Sequence, residues 1–198
     1  MSKIEDKQMK RRAEVLEKVM DLLKVKSFDE ITIQDICQTA DISVGSFYHY
    51  FEQKSDLLTG LMGLIDIFMV DRVFPQLSGK SAYDNLRVLS RGFAAYIDES
   101  GIEVSKLISK SDPTDYSLDN ERRPLHEKIV EIISTGQQSG EFRNELNSEN
   151  IADLLLIAMI AVAVDWSRRE GRYSIRDRME EFTDFFFPAI LFKSPSFR

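Results

Sequence analysis

The sequence has few of the residues that build metal centres, disulfides or nucleophilic sites. It contains one cysteine, Cys37, and two histidines, His49 and His126, among 198 residues. A single cysteine excludes an internal disulfide and leaves no thiol cluster for zinc. Neither histidine belongs to a metal-ligand pattern, and there is no strand pattern that a glycine-rich phosphate loop could follow. The sequence therefore predicts no catalytic residue, no metal and no cofactor, and we do not expect an enzyme.

Long apolar runs are scarce as well. The longest, residues 154–164, is well short of the roughly 20 residues needed to span a bilayer. Residues 1–12 read MSKIEDKQMKRR, which is too polar for a signal peptide. A hydrophobic content of 43% is nevertheless enough for a globular core. We therefore expect a cytoplasmic protein that does not enter a membrane.

Positive charge is also in short supply. The formal net charge is −7, and residues 1–60 hold nine Lys or Arg against eleven Asp or Glu, a net of −2. Bulk charge therefore argues mildly against nucleic acid as a partner. The local pattern differs, because four basic residues precede the first apolar stripe and Lys54 follows further on. The four are Lys7, Lys10, Arg11 and Arg12. Two such chains would present a discontinuous basic rim.

Residues 32–58 predict two short helices joined by a tight turn. Thr32 is a candidate N-cap with Asp35 three residues later, and apolar residues then recur at helical spacing. Ser43 is a second N-cap candidate and opens the second helix. Two short helices with such a turn form a helix-turn-helix. The apolar stripe of residues 5–26 predicts a first helix that braces this motif.

This stretch resembles the DNA-binding motif of the tetracycline-repressor family in residue type and spacing. The positions that carry the likeness are Thr32, Ile36, Ala40, Ile42, Ser43, residues 45–51, Lys54, Leu57 and Leu58. Cys37 stands where the family usually has Ala, and Asp41 where it usually has Gly in the turn. Because Asp tolerates the left-handed conformation better than most residues, the motif is interpreted as intact.

The resemblance implies an all-α fold with two parts. Residues 1–53 would form a three-helix, helix-turn-helix head that binds DNA, and residues 54–198 a helical domain for effector binding and dimerisation. The resemblance also implies contacts with DNA phosphates for Thr32, Tyr48, Tyr50 and Lys54.

Base reading has to come from a second helix that contains no Lys or Arg. If Phe47 and Phe51 face inward, Tyr48 and His49 face outward. We expect Ser46 and His49 to read base edges, with Val44 against a thymine methyl group and Gly45 allowing a close approach. The complete set of predicted DNA-binding residues is Thr32, Ser43, Val44, Gly45, Ser46, Tyr48, His49, Tyr50 and Lys54.

A long helix is predicted from Lys54 to about residue 74. Gly60 and Gly63 lie inside it, at a cost of about 1 kcal/mol each relative to Ala, and either permit close packing of helices or are merely tolerated. Because the helix belongs to both head and body, it could carry motion between them.

By resemblance, the body holds a pocket for a small apolar or aromatic effector. For most of the candidate residues, plain core packing is the simpler interpretation. The candidates are Phe68, Phe93, Tyr96, Met159 and Trp166. His126 is interpreted as a solvated residue on the polar side of its helix, with a contact to the effector as the alternative.

The last two helices predict a homodimer. The helix over residues 149–169 is apolar almost all round between residues 154 and 164, so it needs cover on every side, which one chain of this size cannot provide. The following helix is rich in phenylalanine. Two such helices from each chain would form a four-helix bundle. The predicted interface residues are Leu154, Ala158, Ala161, Phe182 and Phe186.

The sequence therefore predicts a homodimeric transcriptional regulator that binds a double-stranded, palindromic DNA operator. The resemblance favours a repressor released by a small-molecule effector. Two alternatives on the same fold stay open. One is an activator or co-activator, and the other is a helical interaction module without DNA binding, which the acidic head makes conceivable.

Overall fold

The computed structural model describes residues 3–77, 81–110 and 123–191, and within these ranges it contains helices and no strand, which confirms the predicted all-α class. The helices are α1 (Lys3–Leu23), α2 (Ile33–Ala40), α3 (Val44–Tyr50), α4 (Asp56–Phe68), α5 (Ala82–Ser100), α6 (Ile102–Lys110), α7 (Pro124–Gln138), α8 (Ser148–Arg168) and α9 (Ile175–Ile190).

The start of α2 is fixed by a reciprocal cap. Thr32 Oγ1 accepts a hydrogen bond from the Asp35 amide at 3.1 Å, and the Asp35 carboxylate accepts from the Thr32 amide at 2.8 Å. The Thr32 hydroxyl also donates to Asp35 Oδ2 at 2.8 Å, and Lys26 pairs with the same carboxylate. These bonds satisfy donors that a helix start leaves unpaired, as the sequence predicts.

The long helix predicted from Lys54 to residue 74 is shorter and less regular in the structure. Its α-helical part is Asp56–Phe68, followed by a π-helical turn, Met69–Val73, in which the Phe74 amide donates to the Met69 carbonyl. A 3₁₀ turn, Phe74–Gln76, then ends the segment. Pro75 supplies no amide hydrogen and its ring would clash one turn back, so a regular helix cannot run through it.

Two apolar cores meet along α4. Leu57 and Leu61 are buried in the core of the head, together with α1, α2 and α3. Ile65 and Met69 are buried in the larger core formed by α5, α7, α8 and α9. Helix α6 also contributes Val104 to the head core. The head and body are therefore packed against each other through α4 and α6.

The two glycines of α4 have different roles. A Cβ atom at Gly60 would lie 2.7 Å from both methyl carbons of Leu16, which is buried on α1. A Cβ atom at Gly63 would meet nothing within 4 Å. Gly60 therefore permits the close packing of α1 on α4, whereas Gly63 is only tolerated.

By length and composition, α8 is the one helix in the described ranges that could cross a membrane, and 39% of its most apolar window is buried. Core helices of soluble proteins meet the same criterion. Here α8 packs against α6, α7 and α9, and Leu155, Met159 and Ala163 form its fully buried face. Core packing therefore explains the apolar character of this face of α8.

Replacing the two glycines of α4 by alanine should have opposite effects. Gly63→Ala should raise the free energy of unfolding by about 0.4–1 kcal/mol, because alanine lowers the entropy of the unfolded chain. Gly60→Ala gains the same term but overpacks Leu16, which costs about 1–3 kcal/mol. Urea unfolding of both variants would measure the difference. Equal stability of the two variants would show that α1 and α4 are not closely packed at Gly60.

Acid should weaken the cap of α2 in a defined pH range. Hydrogen bonds from the Thr32 amide and hydroxyl, and from Lys26, lower the pKa of Asp35 to about 2, against about 3.9 in an unfolded chain. In that interval the unfolded chain binds more protons, so the cap's contribution is complete above the unfolded pKa and is lost as the pH falls towards about 2.

Asp35→Asn should therefore make stability less dependent on pH between about 4 and about 2. Urea unfolding at a series of pH values measures this slope. Glu17→Gln is the matched control, since Glu17 is exposed in the interior of α1, away from both ends of that helix. A slope unchanged by Asp35→Asn would contradict the assignment.

Candidate DNA-binding surface and ligand cavity

The turn between α2 and α3 is closed by a left-handed residue. Asp41 has φ 51° and ψ 54°, and the Ile42 amide donates to the Cys37 carbonyl at 3.0 Å. This is the conformation for which the family usually employs glycine, and Asp41 adopts it, as predicted. Ser43 then caps α3 by accepting from the Ser46 amide at 3.0 Å.

Two phenylalanines orient α3. Phe47 and Phe51 are fully buried in the head core, with ring centroids 5.4 Å apart. The opposite side of the helix is left in solvent, where Val44 is 45% and Tyr48 is 52% exposed. Gly45 and His49 are exposed beside them. The exposed face of α3 is thus small, partly aromatic and without a cationic Lys or Arg.

Several of the predicted DNA-binding side chains already have partners within the protein. Ser43 Oγ and Ser46 Oγ are 2.9 Å apart. The hydroxyl of Thr32 is engaged in the α2 cap, and Tyr50 is half-buried against the head core. His49 Nε2 lies 3.1 Å from Nε2 of Gln8 on α1. Gln8 was not predicted from the sequence, because nothing in its local pattern marks a position that folds back onto α3.

Lys54 lies at the start of α4, as the sequence predicts, but its side chain is engaged within the protein. It stands just before Asp56, the first residue of α4, and its ammonium donates to the Phe28 carbonyl at 2.5 Å. The same ammonium is 4.6 Å from the centre of the Phe28 ring. Lys54 therefore holds the loop between α1 and α2 in this structure, and a contact with a phosphate would require these bonds to be exchanged.

Basic side chains of α1 lie close to the recognition surface. The Arg12 guanidinium carbon lies 5.1 Å from the centre of the Phe51 ring, and Arg12 itself remains exposed. Lys10 is exposed as well, whereas Arg11 pairs with Glu14. Positive charge is therefore supplied by α1 at the margin of α3, although the head as a whole is acidic.

A cavity in the body lies next to the end of α4. It has about 500 Å³ of space between atoms, its open mouth included, and its surface is almost entirely apolar. The lining residues come from α4, α5, α6, α7 and α8, and from Arg123 just before α7. They are Leu61, Ile65, Asp66, Phe93, Tyr96, Val104, Arg123, Leu125, His126, Leu156 and Ile160.

A buried ion pair forms the polar end of this cavity. Arg123 Nε donates to Asp66 Oδ2 at 2.7 Å, and the Leu125 amide donates to Asp66 Oδ1 at 3.2 Å. Only 12% of the Asp66 side chain and 25% of the Arg123 side chain are exposed. Such a pair is charge-assisted and shielded from water, which makes each partner costly to remove alone.

Two further polar groups belong to the same wall. His126 Nε2 is 2.7 Å from Asp153 Oδ1 on α8. The interpretation of His126 as merely solvated is therefore wrong, because it lines the cavity and pairs across two helices. Burial raises the pKa of Tyr96 to about 12, so its hydroxyl stays protonated. That hydroxyl is 3.5 Å from the Leu61 carbonyl.

The five predicted pocket residues separate into two groups. Phe93 and Tyr96 line the cavity. Phe68 packs edge-on against Tyr96 with centroids 5.3 Å apart, but it is not part of the lining. Met159 is fully buried, and its sulfur accepts a hydrogen bond from the Ser90 hydroxyl. The Trp166 ring nitrogen donates a hydrogen bond to the Tyr173 carbonyl. For Met159 and Trp166, core packing is thus the interpretation that fits.

An apolar face of α8 and α9 remains uncovered. Leu154 is 50%, Ile157 63% and Phe185 88% exposed. The predicted interface residues Ala158, Phe182 and Phe186 are half-buried, and Ala161 is exposed. The predicted set did not include Ile157 or Phe185, although both follow the same helical spacing. Exposed apolar side chains in such a group mark an interaction surface.

Within the described ranges, no group of three or more His, Cys, Asp or Glu residues could hold a metal ion. Burial raises the pKa of the Cys37 thiol, which makes it a poor nucleophile.

Comparison with known families agrees with the two-part organisation. A profile of the family described as "Bacterial regulatory proteins, tetR family" matches residues 15–61. A second profile, described as "Tetracyclin repressor-like, C-terminal domain", matches residues 79–190, which is more than half of the chain.

Individual relatives are more distant. The chain is 26% identical over 178 residues to the HTH-type transcriptional repressor KstR2 of Rhodococcus jostii strain RHA1, with 83% of each chain covered. It is 25% identical over 191 residues to the HTH-type transcriptional repressor DhaR of Mycobacterium sp. strain GP1, covering 91% of this chain and 92% of the relative.

Among solved structures, the transcriptional regulator FadR from Bacillus subtilis in complex with stearoyl-CoA is similar, with a TM-score of 0.71. The identity is 16%, and the match covers 87% of this chain and 95% of the other. A likeness at this identity establishes the fold alone.

Proposed function

The chain belongs to the tetracycline-repressor family of bacterial regulatory proteins and is a DNA-binding transcriptional regulator, and on that basis we propose that it is a cytoplasmic, homodimeric repressor released from its operator by a small-molecule effector. The observation that carries this proposal is the position of α4. Leu61 and Ile65 line the cavity, and the same helix begins just after the exposed helix α3. A ligand that moves α4 also moves the head.

The exposed face of α3 is the proposed reading surface in the major groove. Val44 and Gly45 present a small and apolar approach. His49 is proposed to form hydrogen bonds with base edges, and the hydroxyl of the exposed Tyr48 with a phosphate. Ser46 would read bases by exchanging its bond with Ser43. Arg12 of α1 and Lys54 before α4 are proposed to meet phosphates at the margin of this surface, which positions the head without reading sequence.

The uncovered face of α8 and α9 is the proposed dimer interface. Two copies of this face form a four-helix bundle related by a two-fold axis. A two-fold dimer presents two α3 helices, so we propose a palindromic operator with half-sites about 34 Å apart or a multiple of that distance. The dimer thereby doubles the basic margin supplied by each α1.

The effector is proposed to be largely apolar. The FadR relative from Bacillus subtilis was solved with stearoyl-CoA, so this fold accommodates a ligand with a long hydrocarbon part. A ligand that favours the state unable to bind DNA must bind that state more tightly, and DNA must weaken ligand binding by the same factor.

Disrupting the uncovered face should dissociate the dimer without unfolding the protomer. Ala161→Arg should yield monomers in sedimentation velocity at micromolar concentration, because a desolvated unpaired charge costs several kcal/mol at an interface. Since Ala161 is exposed in the single chain, the helical content should be unchanged. Gln38→Arg, an equal charge change on the exposed side of α2, is the control. A dimer that survives Ala161→Arg would refute this interface.

The division between base reading and phosphate contact can be tested on α3 and Lys54. On duplexes selected from random DNA, His49→Ala should reduce discrimination at one base pair by about 1–3 kcal/mol with little change in salt dependence. Lys54→Ala should weaken binding to selected and scrambled duplexes alike and reduce the salt slope by about one. Binding isotherms at several salt concentrations measure both effects.

Lys128→Ala is the control for Lys54→Ala, because Lys128 lies on α7, outside the head and outside the cavity lining. Melting curves of each variant show whether the head remains folded, which matters for Lys54 because of its bond to Phe28. If His49→Ala weakens all duplexes equally while discrimination is unchanged, α3 does not read bases through His49. If no variant affects binding to any duplex, the proposed DNA surface is wrong.

A further inference from the structure

The buried pair at the polar end of the cavity has the geometry of an anion site that the protein fills with its own carboxylate. One carboxylate oxygen of Asp66 accepts a hydrogen bond from the guanidinium of Arg123, and the other accepts one from the Leu125 amide. Leu125 belongs to the first turn of α7, where the amides are not used within the helix. A guanidinium beside free first-turn amides is a strong arrangement for a carboxylate.

Apart from His126 and the Tyr96 hydroxyl, the remainder of the wall is apolar, with Phe93, Leu156 and Ile160 among its members. A ligand that fits both parts has one anionic group and a hydrocarbon body. We propose that the cavity binds a carboxylate attached to an apolar chain or ring, and that this carboxylate takes the place of Asp66 on Arg123 and the Leu125 amide. Ligand binding at this site does not depend on the proposed function, whereas an effect of the ligand on DNA binding rests on it.

The sign of the ligand charge follows from what each partner can do when displaced. A cationic ligand on Asp66 would displace the Arg123 guanidinium, which keeps its positive charge wherever it moves. An anionic ligand on Arg123 displaces Asp66 instead. The Arg123 guanidinium and the Leu125 amide then keep a carboxylate as their acceptor, so their hydrogen bonds are retained.

The exchange also has a mechanical consequence for α4. Asp66 joins α4 to the N-terminal end of α7, and it precedes the π-helical turn by only a short distance. Ligand binding would break this connection while leaving Leu57 and Leu61 in the head core. Helix α4 would then be free to shift relative to the body and to carry the head with it.

Calorimetry with three ligands of equal chain length tests the charge preference in the unmodified protein. Octanoate should bind more tightly than methyl octanoate, and octylamine should bind most weakly. Asp66→Asn removes the competing charge but keeps an oxygen for the Leu125 amide, so the octanoate affinity should rise by about tenfold. Arg123→Gln should abolish the preference for octanoate over methyl octanoate.

Arg91→Gln is the matched control, because Arg91 pairs with Glu180 on the surface of the same domain and does not line the cavity. It should leave all three affinities unchanged. The proposal is overturned if octanoate binds neither the wild type nor Asp66→Asn, if octylamine is preferred, or if Arg123→Gln keeps the preference for octanoate. The measurements on the wild type decide the matter even if a variant does not fold.

Operator binding in the presence of octanoate separates this inference from the proposed function. Binding that depends on Arg123 but leaves DNA affinity unchanged would support the anion site and refute release through it. If a neutral compound releases DNA from both the wild type and Arg123→Gln while octanoate does not bind, the repressor mechanism stands and the anion site is wrong.

Discussion

Helix α4 has to satisfy two apolar cores with one continuous stretch of backbone. Its first turns place Leu57 and Leu61 among the residues of the head. Ile65 near its end, and Met69 in the π-helical turn that follows, belong to the core of the body. Because protein interiors are close-packed, neither set of contacts tolerates a gradual displacement. Any movement of the helix must therefore occur between discrete packings, and Gly60 brings α1 close enough for the head to follow.

The acidic net charge of the head is compatible with DNA binding because of where the charges lie. The reading surface itself is nearly neutral, formed by Val44, Gly45, Tyr48 and His49, and the exposed cations of α1 stand beside it. Several carboxylates are already paired within the protein: Asp35 caps α2, and Glu14 forms an ion pair with Arg11. Net charge counts these carboxylates, whereas an approaching phosphate responds mainly to charges within a Debye length, about 8 Å at physiological salt.

Local features were predictable from the sequence, and features that depend on tertiary contacts were not. The caps at Thr32 and Ser43, the left-handed Asp41 and the inward phenylalanines of α3 each depend on neighbours a few residues away, and the structure has all of them. The cavity is different. Asp66 and Arg123 are both charged and would each be interpreted as solvated, and only the packing of α4 against α7 brings them together. Phe93 and Tyr96 were identified, but Met159 and Trp166 share their composition and serve the core.

The π-helical turn after α4 sets the helical phase at which the 3₁₀ turn begins. Each residue of an α-helix advances the side-chain direction by about 100°, since there are 3.6 residues per turn. The wider turn at Met69–Val73 holds one residue more than an α-helical turn, and Met69 and Val73, four residues apart, are both buried. Val73 thereby fits into the space left by Gly92 on α5. The segment thus adapts the helical phase within the body core, between α4 and the 3₁₀ turn.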